Sequence, residues 1–214
     1  FPYPYSHSNR TDGTADHNRL LAHGDPDGAY WVPAMADAPL RGYNGRHEWF
    51  WEPGDDERAV YPLTDLMEMY EKSVGRNATL ILGLTPNPDG LLPSGDVARL
   101  KEFGEEVNRR FGTPLACTSG TGTRLTLRLG ARQKVDCCII GEEIARGHRI
   151  RAYRVEARVN GKWTTVCRGT AVGHKRIERF PAVETDALRL TVEQHICDPA
   201  IRDFSAYRIA GAAE

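Results

Sequence analysis

The stretch YPLTDLMEMYEKSVGRNATLILGLTPNPDGLLPSGDVARLKEFGEEVNRRFG, residues 61–112, decides how the chain is read. Its first part places Leu63, Leu66, Met67, Tyr70 and Val74 at offsets of 3, 4, 7 and 11, one face of an amphipathic helix over residues 62–75. Pro62 suits the first turn, where no backbone N–H is needed, and Gly75 supplies a stop. Residues 78–84, ATLILGL, are apolar without alternation, which predicts a strand buried on both faces as in a parallel α/β sheet. A second helix is predicted from about Asp96 to Phe111. Val97, Leu100, Phe103 or Gly104, Val107 and Phe111 line one side; Asp96 serves as N-cap or first-turn acid and Gly112 closes the end.

Upstream, AYWVPA (29–34) reads as a short strand ended by proline, and HEWFW (47–51) as a second, aromatic strand broken by EPGDDE. On such a strand Trp49 and Trp51 point the same way. Residues 29–112 thus read strand, strand, helix, strand, helix. Residues 1–28 have loop composition, include a glycosylation sequon at Asn9, and begin like a loop cut open, without the basic-then-apolar order of a signal peptide. The DPDG and NPDG stretches suggest turns.

Downstream of Gly112 the period changes. TRLTLRLG alternates Leu125, Leu127 and Leu129 with polar residues, the mark of a strand with one wet face. RIRAYRVEARVNGKWTTVCRG is two strands around Asn160-Gly161, a strong hairpin signal. HKRIERFPAV, ALRLTVEQH and DFSAYRIA add further short strands. About eight strands with regular turns predict an antiparallel β-sandwich. The boundary falls near 113–118, giving units at 1–112 and 113–214.

Composition bounds the function. With 214 residues, 40% hydrophobic and 27% charged, the chain can bury a core. A net charge of −1 gives no electrostatic reason to expect nucleic acid or an anionic membrane. The five cysteines, Cys117, Cys137, Cys138, Cys167 and Cys197, form no C-x-x-C pair and are expected as buried reduced thiols, with no metal site and no organic cofactor. No apolar run is long enough for a membrane span, so a soluble protein is expected, with the cytoplasm favoured.

YEKSVGRNATLILGL followed by PNPDGLL resembles the closing barrel segment of α-L-fucosidases, glycoside hydrolases that remove terminal α-linked L-fucose. WVPAMADAPLR and HEWFWEPGDDE resemble the preceding barrel strands of that family. EEIARGHRIRAYRVEA, GTAVGHKRIERFPAVETDALRLTV and IRDFSAYRI resemble its C-terminal sandwich. The resemblance covers about residues 29–210. It implies the end of a (β/α)₈ (TIM) barrel in 1–112 and a β-sandwich in 113–214, acting on a fucosylated glycan or glycoside.

The resemblance further implies a retaining mechanism, with two carboxyl groups about 5–5.5 Å apart. The family's nucleophile is an aspartate on an earlier barrel strand, outside this sequence. Its acid/base position is held here by Met35, whose thioether has no proton to donate. Trp49 and Trp51 are the expected sugar-stacking residues, with His47 and Glu48 as polar neighbours at the mouth and Asp37 positioning the strand end. A whole barrel takes about 250 residues. The roughly three barrel strands expected here need a cover for their sheet edge: an N-terminal barrel half, a second copy of the chain, or the sandwich. The chain alone is therefore expected to be inactive or weakly active. The alternative reading is a non-catalytic carbohydrate-binding or assembly module.

Overall fold

A computed structural model of the chain describes residues 2–3, 30–31, 34–43, 49–53 and 59–209. A two-residue strand β1 (Pro2–Tyr3) pairs antiparallel with β2 (Tyr30–Trp31). Strand β3 (Met35–Pro39) leads through helix α1 (Leu63–Ser73) to strand β4 (Thr79–Gly83), which lies parallel to β3. Helix α2 (Ser94–Phe111) follows. This β-α-β-α order is the barrel grammar, here built on a two-stranded parallel sheet.

Both helices have two buried sides because they lie between two layers. Leu66 and Met69 of α1 with Leu100 and Phe103 of α2 pack on Leu82, Leu84, Leu40 and Val60 of the parallel unit. Turned the other way, Met67 and Tyr70 with Val107 and Phe111 pack on Cys137, Ile139, Ile177 and Tyr207. The Tyr70 and Phe111 rings stack at 5.8 Å, and Phe111 meets Tyr207 edge-on at 6.2 Å. Each helix carries an acid in its first turn, Asp65 and Asp96, and bases in its last, Lys72 and Arg109–Arg110, matching the helix dipole.

The remainder is an antiparallel six-stranded sheet, ordered β5-β10-β6-β9-β7-β8. Its strands are β5 (Ala116–Thr121), β6 (Arg124–Glu142), β7 (Ile150–Val159), β8 (Lys162–Gly169), β9 (Arg176–His195) and β10 (Ala200–Tyr207). The two long strands, β6 and β9, run through both layers of the sandwich. Their register breaks between Arg128 and Gln133 and again between Val135 and Cys137. Before the breaks β9 pairs with β6 and β7; after them β6 pairs with β9 and β10. The core joins the layers: Leu127, Tyr153, Val155 and Leu188 from one meet Cys138, Ile140 and Phe204 from the other.

Polar groups inside the sandwich are matched. The buried Glu142 carboxylate accepts the backbone N–H groups of Arg149 (2.7 Å), Ile150 (3.0 Å) and Gly173 (2.8 Å), clipping two loops to the end of β6. The Tyr153 hydroxyl donates to Glu178 at 2.5 Å across the layers. Gly169 makes room for that ring, since a Cβ there would lie 2.3 Å from the Tyr153 oxygen. Asn160 (φ 50) and Gly161 (φ 78) form the predicted β7–β8 turn, both in the left-handed region that this turn type requires.

Several expectations are corrected. Of the strand placed at 29–34 the described residues show only Tyr30–Trp31, β2, and the parallel pairing begins beyond it, at Met35. Among the described residues two parallel strands are present, where about three were expected. Strand β4 is not buried on both faces: Thr79 and Ile81 are exposed while Leu80 and Leu82 are half-buried. Residues 49–51 are not a strand, so no strand geometry aligns Trp49 with Trp51. The sandwich sheet has six strands where about eight were expected, because the predicted pieces 174–183 and 187–195 are one strand, β9. Its bend, at Pro181, breaks the pattern without ending the strand. Helix α2 starts at Ser94, two residues early, so Asp96 is the first-turn acid and not the N-cap, and its carboxylate pairs with Arg41. Cys137 and Cys138 are buried, whereas Cys117 and Cys197 are exposed and Cys167 is half-buried. No helix among the described residues is long and apolar enough to cross a membrane.

Candidate functional site

The carboxyl ends of parallel strands are where barrels assemble their sites, from the loops that follow each strand. Here those ends are Pro39 and Gly83. Beyond Pro39 the chain stays ordered in register: Leu40 N–H donates to the Gly83 carbonyl at 2.9 Å, and Tyr61 N–H to the Leu40 carbonyl at 3.0 Å. Gly42 N–H donates to the Ala59 carbonyl at 2.8 Å, and Arg41 bridges Val60. The stem 40–43 against 59–61 flanks the segment in which Trp49, Phe50 and Trp51 lie.

The base of this loop is fixed by a buried ion pair. Arg41 Nη2 donates to Asp96 Oδ1 at 2.6 Å and its Nε to Oδ2 at 3.3 Å. The side chains are 2% and 0% exposed, so the fork-on-carboxylate geometry is what offsets the cost of removing both charges from water. The pair ties the end of β3 to the first turn of α2. Fifty-five residues separate the partners, so no local pattern announces them.

Trp49 lies on the sheet end. A Cβ on Gly83 would fall 2.8 Å from its Cζ3, so the indole rests directly on the Gly83 backbone. The ring is 43% exposed, which leaves apolar surface open at the carboxyl edge. Phe50 is 83% exposed and Tyr43 is 55% exposed, with Tyr43 held edge-on to Tyr61 at 6.0 Å. Trp51 is half-buried. The Thr85 hydroxyl, two residues beyond β4, is buried without a hydrogen-bond partner among the described residues. Exposed aromatic faces suit the C–H faces of a sugar ring.

Met35 and Asp37 stand on the opposite face of the sheet from the helices. Both are exposed, and their parallel partners Thr79 and Ile81 are exposed with them. Met35 opens β3, so within the strand it lies further from the carboxyl edge than Asp37 does. Trp49 thus sits at the rim, Trp51 is half-buried two residues on, Met35 and Asp37 lie on the exposed face, and His47 and Glu48 lie outside the described residues. Asn9 and the DPDG turn at 25–28 lie outside them too. The NPDG turn is present: Asn87 Oδ1 accepts the Asp89 and Leu91 N–H groups, and Gly90 has φ 78. No group of three or more His, Cys, Asp or Glu placed to hold a metal occurs among the described residues.

Elsewhere the buried thiols are chemically quiet. Burial pushes the Cys137 thiol up, and the Cys138 thiol is held neutral by its hydrogen bond with Cys167 and then by burial. Sequence reasoning missed Arg41, Tyr43, Gly83 and Asp96. Of these Gly83 had a local signal: a lone glycine inside a strand marks close approach of another group.

Comparison with known proteins places this architecture. The chain is 61% identical to a provisionally named alpha-L-fucosidase of Bacteroides thetaiotaomicron VPI-5482, over 97% of its own length and 47% of that chain, with a TM-score of 0.90. Alpha-L-fucosidase 1 of Arabidopsis thaliana is 30% identical over 221 residues, 86% of this chain and 42% of the plant protein. A Ruminococcus gnavus glycoside hydrolase 29 fucosidase, solved with fucose, is 26% identical over 86% of this chain and 43% of its own, with a TM-score of 0.74. No family model matches. The chain spans less than half the length of these relatives. Over nearly all of its residues, in sequence and in fold, it is homologous to part of an α-L-fucosidase: a segment of the barrel joined to the β-sandwich.

Proposed function

We propose that this chain supplies the aromatic rim of a fucose site in a glycoside hydrolase that releases terminal α-L-fucose with retention. We further propose that it divides into a barrel segment, 1–112, and a sandwich, 113–214. The observation that carries the reading is the seat of Trp49 on Gly83. It puts an exposed indole at the carboxyl edge of two parallel strands, in a chain homologous to a fucosidase. The apolar face of fucose, with its methyl group, rests on Trp49, while Trp51, His47 and Glu48 border the ring and its hydroxyls.

Met35 occupies the acid/base position in this reading, with Asp37 beside it on the same face. A thioether cannot protonate the departing oxygen, and loss of a general acid costs on the order of 10²–10⁴ in rate. The chain by itself is therefore inactive or weakly active. Full activity requires a nucleophilic carboxylate from a complementary barrel half laid on the bare face of β3 and β4. The physical signature is leaving-group dependence: an aryl fucoside expels a stable aryloxide without protonation, whereas the sugar alkoxide of a disaccharide needs a proton to depart.

The test combines the chain with the complementary half of its Bacteroides relative and compares Met35→Glu with the parent chain. Met35→Glu is expected to raise kcat on a fucosyl disaccharide by about 10²-fold or more and on an aryl fucoside far less. Equal effects on both substrates would remove Met35 from the acid/base role. Trp49→Ala is expected to abolish fucose-dependent quenching of tryptophan fluorescence; unchanged quenching would sink the rim assignment.

A second reading, a non-catalytic carbohydrate-binding or assembly module, rests on the exposed Met35 and Ile81 of the bare sheet face. It is favoured if the chain self-associates through that face and no complementary half restores hydrolysis.

A further inference from the structure

We propose that the groove between α1, the last turn of α2 and the first residues of β9 binds a sugar bearing an oxyanion, either a sulfate ester or a carboxylate. The cavity has a volume of about 420 Å³, inside the range of roughly 300–1,000 Å³ usual for small-ligand pockets. Lys72, Arg76, Arg110, Arg176 and Arg179 line it. Glu68, Glu71 and Glu178 are the carboxylates that face them, so five cations meet three anions.

The pairing shows where the surplus charge sits. Glu68 is engaged by Lys72. Glu71 is shared, accepting Arg110 Nη1 at 3.0 Å and Arg179 Nη1 at 3.2 Å. Glu178 accepts Arg176 Nε at 2.8 Å and also the Tyr153 hydroxyl. Glu106, outside the groove, is divided between Arg109 and Arg110. Counting it and Arg109 makes six cations against four carboxylates, and the excess remains two. Among the described residues Arg76 makes no ion pair, and Arg179 has only a share of Glu71.

The backbone forces two of these cations together. Arg76 and Arg176 are partners across an isolated antiparallel bridge, fixed by the Ile177 N–H donating to the Gly75 carbonyl at 2.8 Å. Like charges directly opposite one another destabilise a ladder, and an oxyanion between the two guanidinium groups removes that repulsion. Guanidinium forks match the oxygen spacing of sulfate and carboxylate and bind them bidentately. A bare ion fills only part of the cavity. Thr64 and Glu68 on the far wall offer the donor and acceptors that sugar hydroxyls need.

The experiment titrates the whole chain by calorimetry at fixed ionic strength, with galactose 6-sulfate, glucuronate, galactose and inorganic sulfate as probes. Saturable binding of at least one acidic sugar is expected, with none of galactose and with inorganic sulfate about tenfold weaker than the acidic sugar. Arg76→Gln is expected to weaken acidic-sugar binding about tenfold, and Arg76→Glu to abolish it. Arg76 is exposed and unpaired, so both variants should melt with the parent chain. Absence of saturable binding by both acidic sugars overturns the proposal, as does an affinity unmoved by Arg76→Glu. Inorganic sulfate binding as tightly as the sulfated sugar overturns the sugar assignment in favour of a free oxyanion.

Discussion

Two strands with similar sequences end in different surroundings. CCIIG, residues 137–141 of β6, and TLILG, residues 79–83 of β4, are both largely apolar runs without alternation. The first is buried throughout: Cys138 and Ile140 face the opposite layer of the sandwich, and Cys137 and Ile139 face the helices. Among the described residues the second has one cover only, the same pair of helices, and Ile81 is 42% exposed. An apolar run therefore tells how many covers a strand requires, not where they come from. In β6 both are supplied by this chain. In β4 the uncovered side is the one shared with Met35 and Asp37, the side on which the proposed barrel half would dock.

The comparison breaks most sharply if the sandwich is not the dominant source of stability. Phe204→Ala, at the centre of the sandwich core, is expected to cost about 3–5 kcal/mol in urea unfolding. A loss below about 1 kcal/mol would mean that the core is not packed as described. Next in size, Arg41→Met leaves the Asp96 carboxylate buried and unmatched, for an expected loss of about 3 kcal/mol. Hydrogen exchange should locate that loss in β3 and the first turns of α2, with sandwich amides still protected. Uniform loss of protection would show the two regions to be one cooperative unit.

A pH series sharpens the comparison further. The Arg189 hydrogen bond pulls the Glu156 carboxyl down from 4.5 to about 2, against burial and with help from Thr191. Glu106, on α2, is lowered to about 2 chiefly by Arg109. Folded-state values below the unfolded ones mean that the unfolded chain takes up protons first as pH falls. This stabilisation is complete above about pH 4.5 and is lost progressively toward pH 2. Glu156→Gln is expected to flatten the stability curve in that window and to cost about 1–2 kcal/mol at pH 7. An unchanged curve would show that the Arg189–Glu156 fork adds nothing. The smallest effect is expected from Ile81→Ser, which should change stability by less than about 0.5 kcal/mol yet reduce self-association in sedimentation. A large drop in melting temperature would mean that the face is already covered.

Much of the fold was legible because its signals are local. The two helices follow from periodicity, and the Asn160-Gly161 turn follows from residues that tolerate positive φ. Strand β3 was not legible in this way: MADAP has poor strand formers, and its conformation comes from pairing with β4, forty-four positions away. The length of β6 and β9 was hidden for the opposite reason. Gly130 and Pro181 look like chain breaks but fall inside continuous strands, where the pairing of β6 with β9 shifts register. At the rim the tryptophans were visible as residue types, whereas the support of Trp49 by Gly83 and the Arg41–Asp96 anchor arise only once distant segments meet.

Because β6 and β9 each contribute to both layers, the sandwich has no seam along which it can come apart. Pulling one layer away means unzipping the two strands that also hold the other, so the fold should yield all at once or not at all. A module of that kind is a firm footing for the helices seated on its outer face, and through them for the loop that presents Trp49.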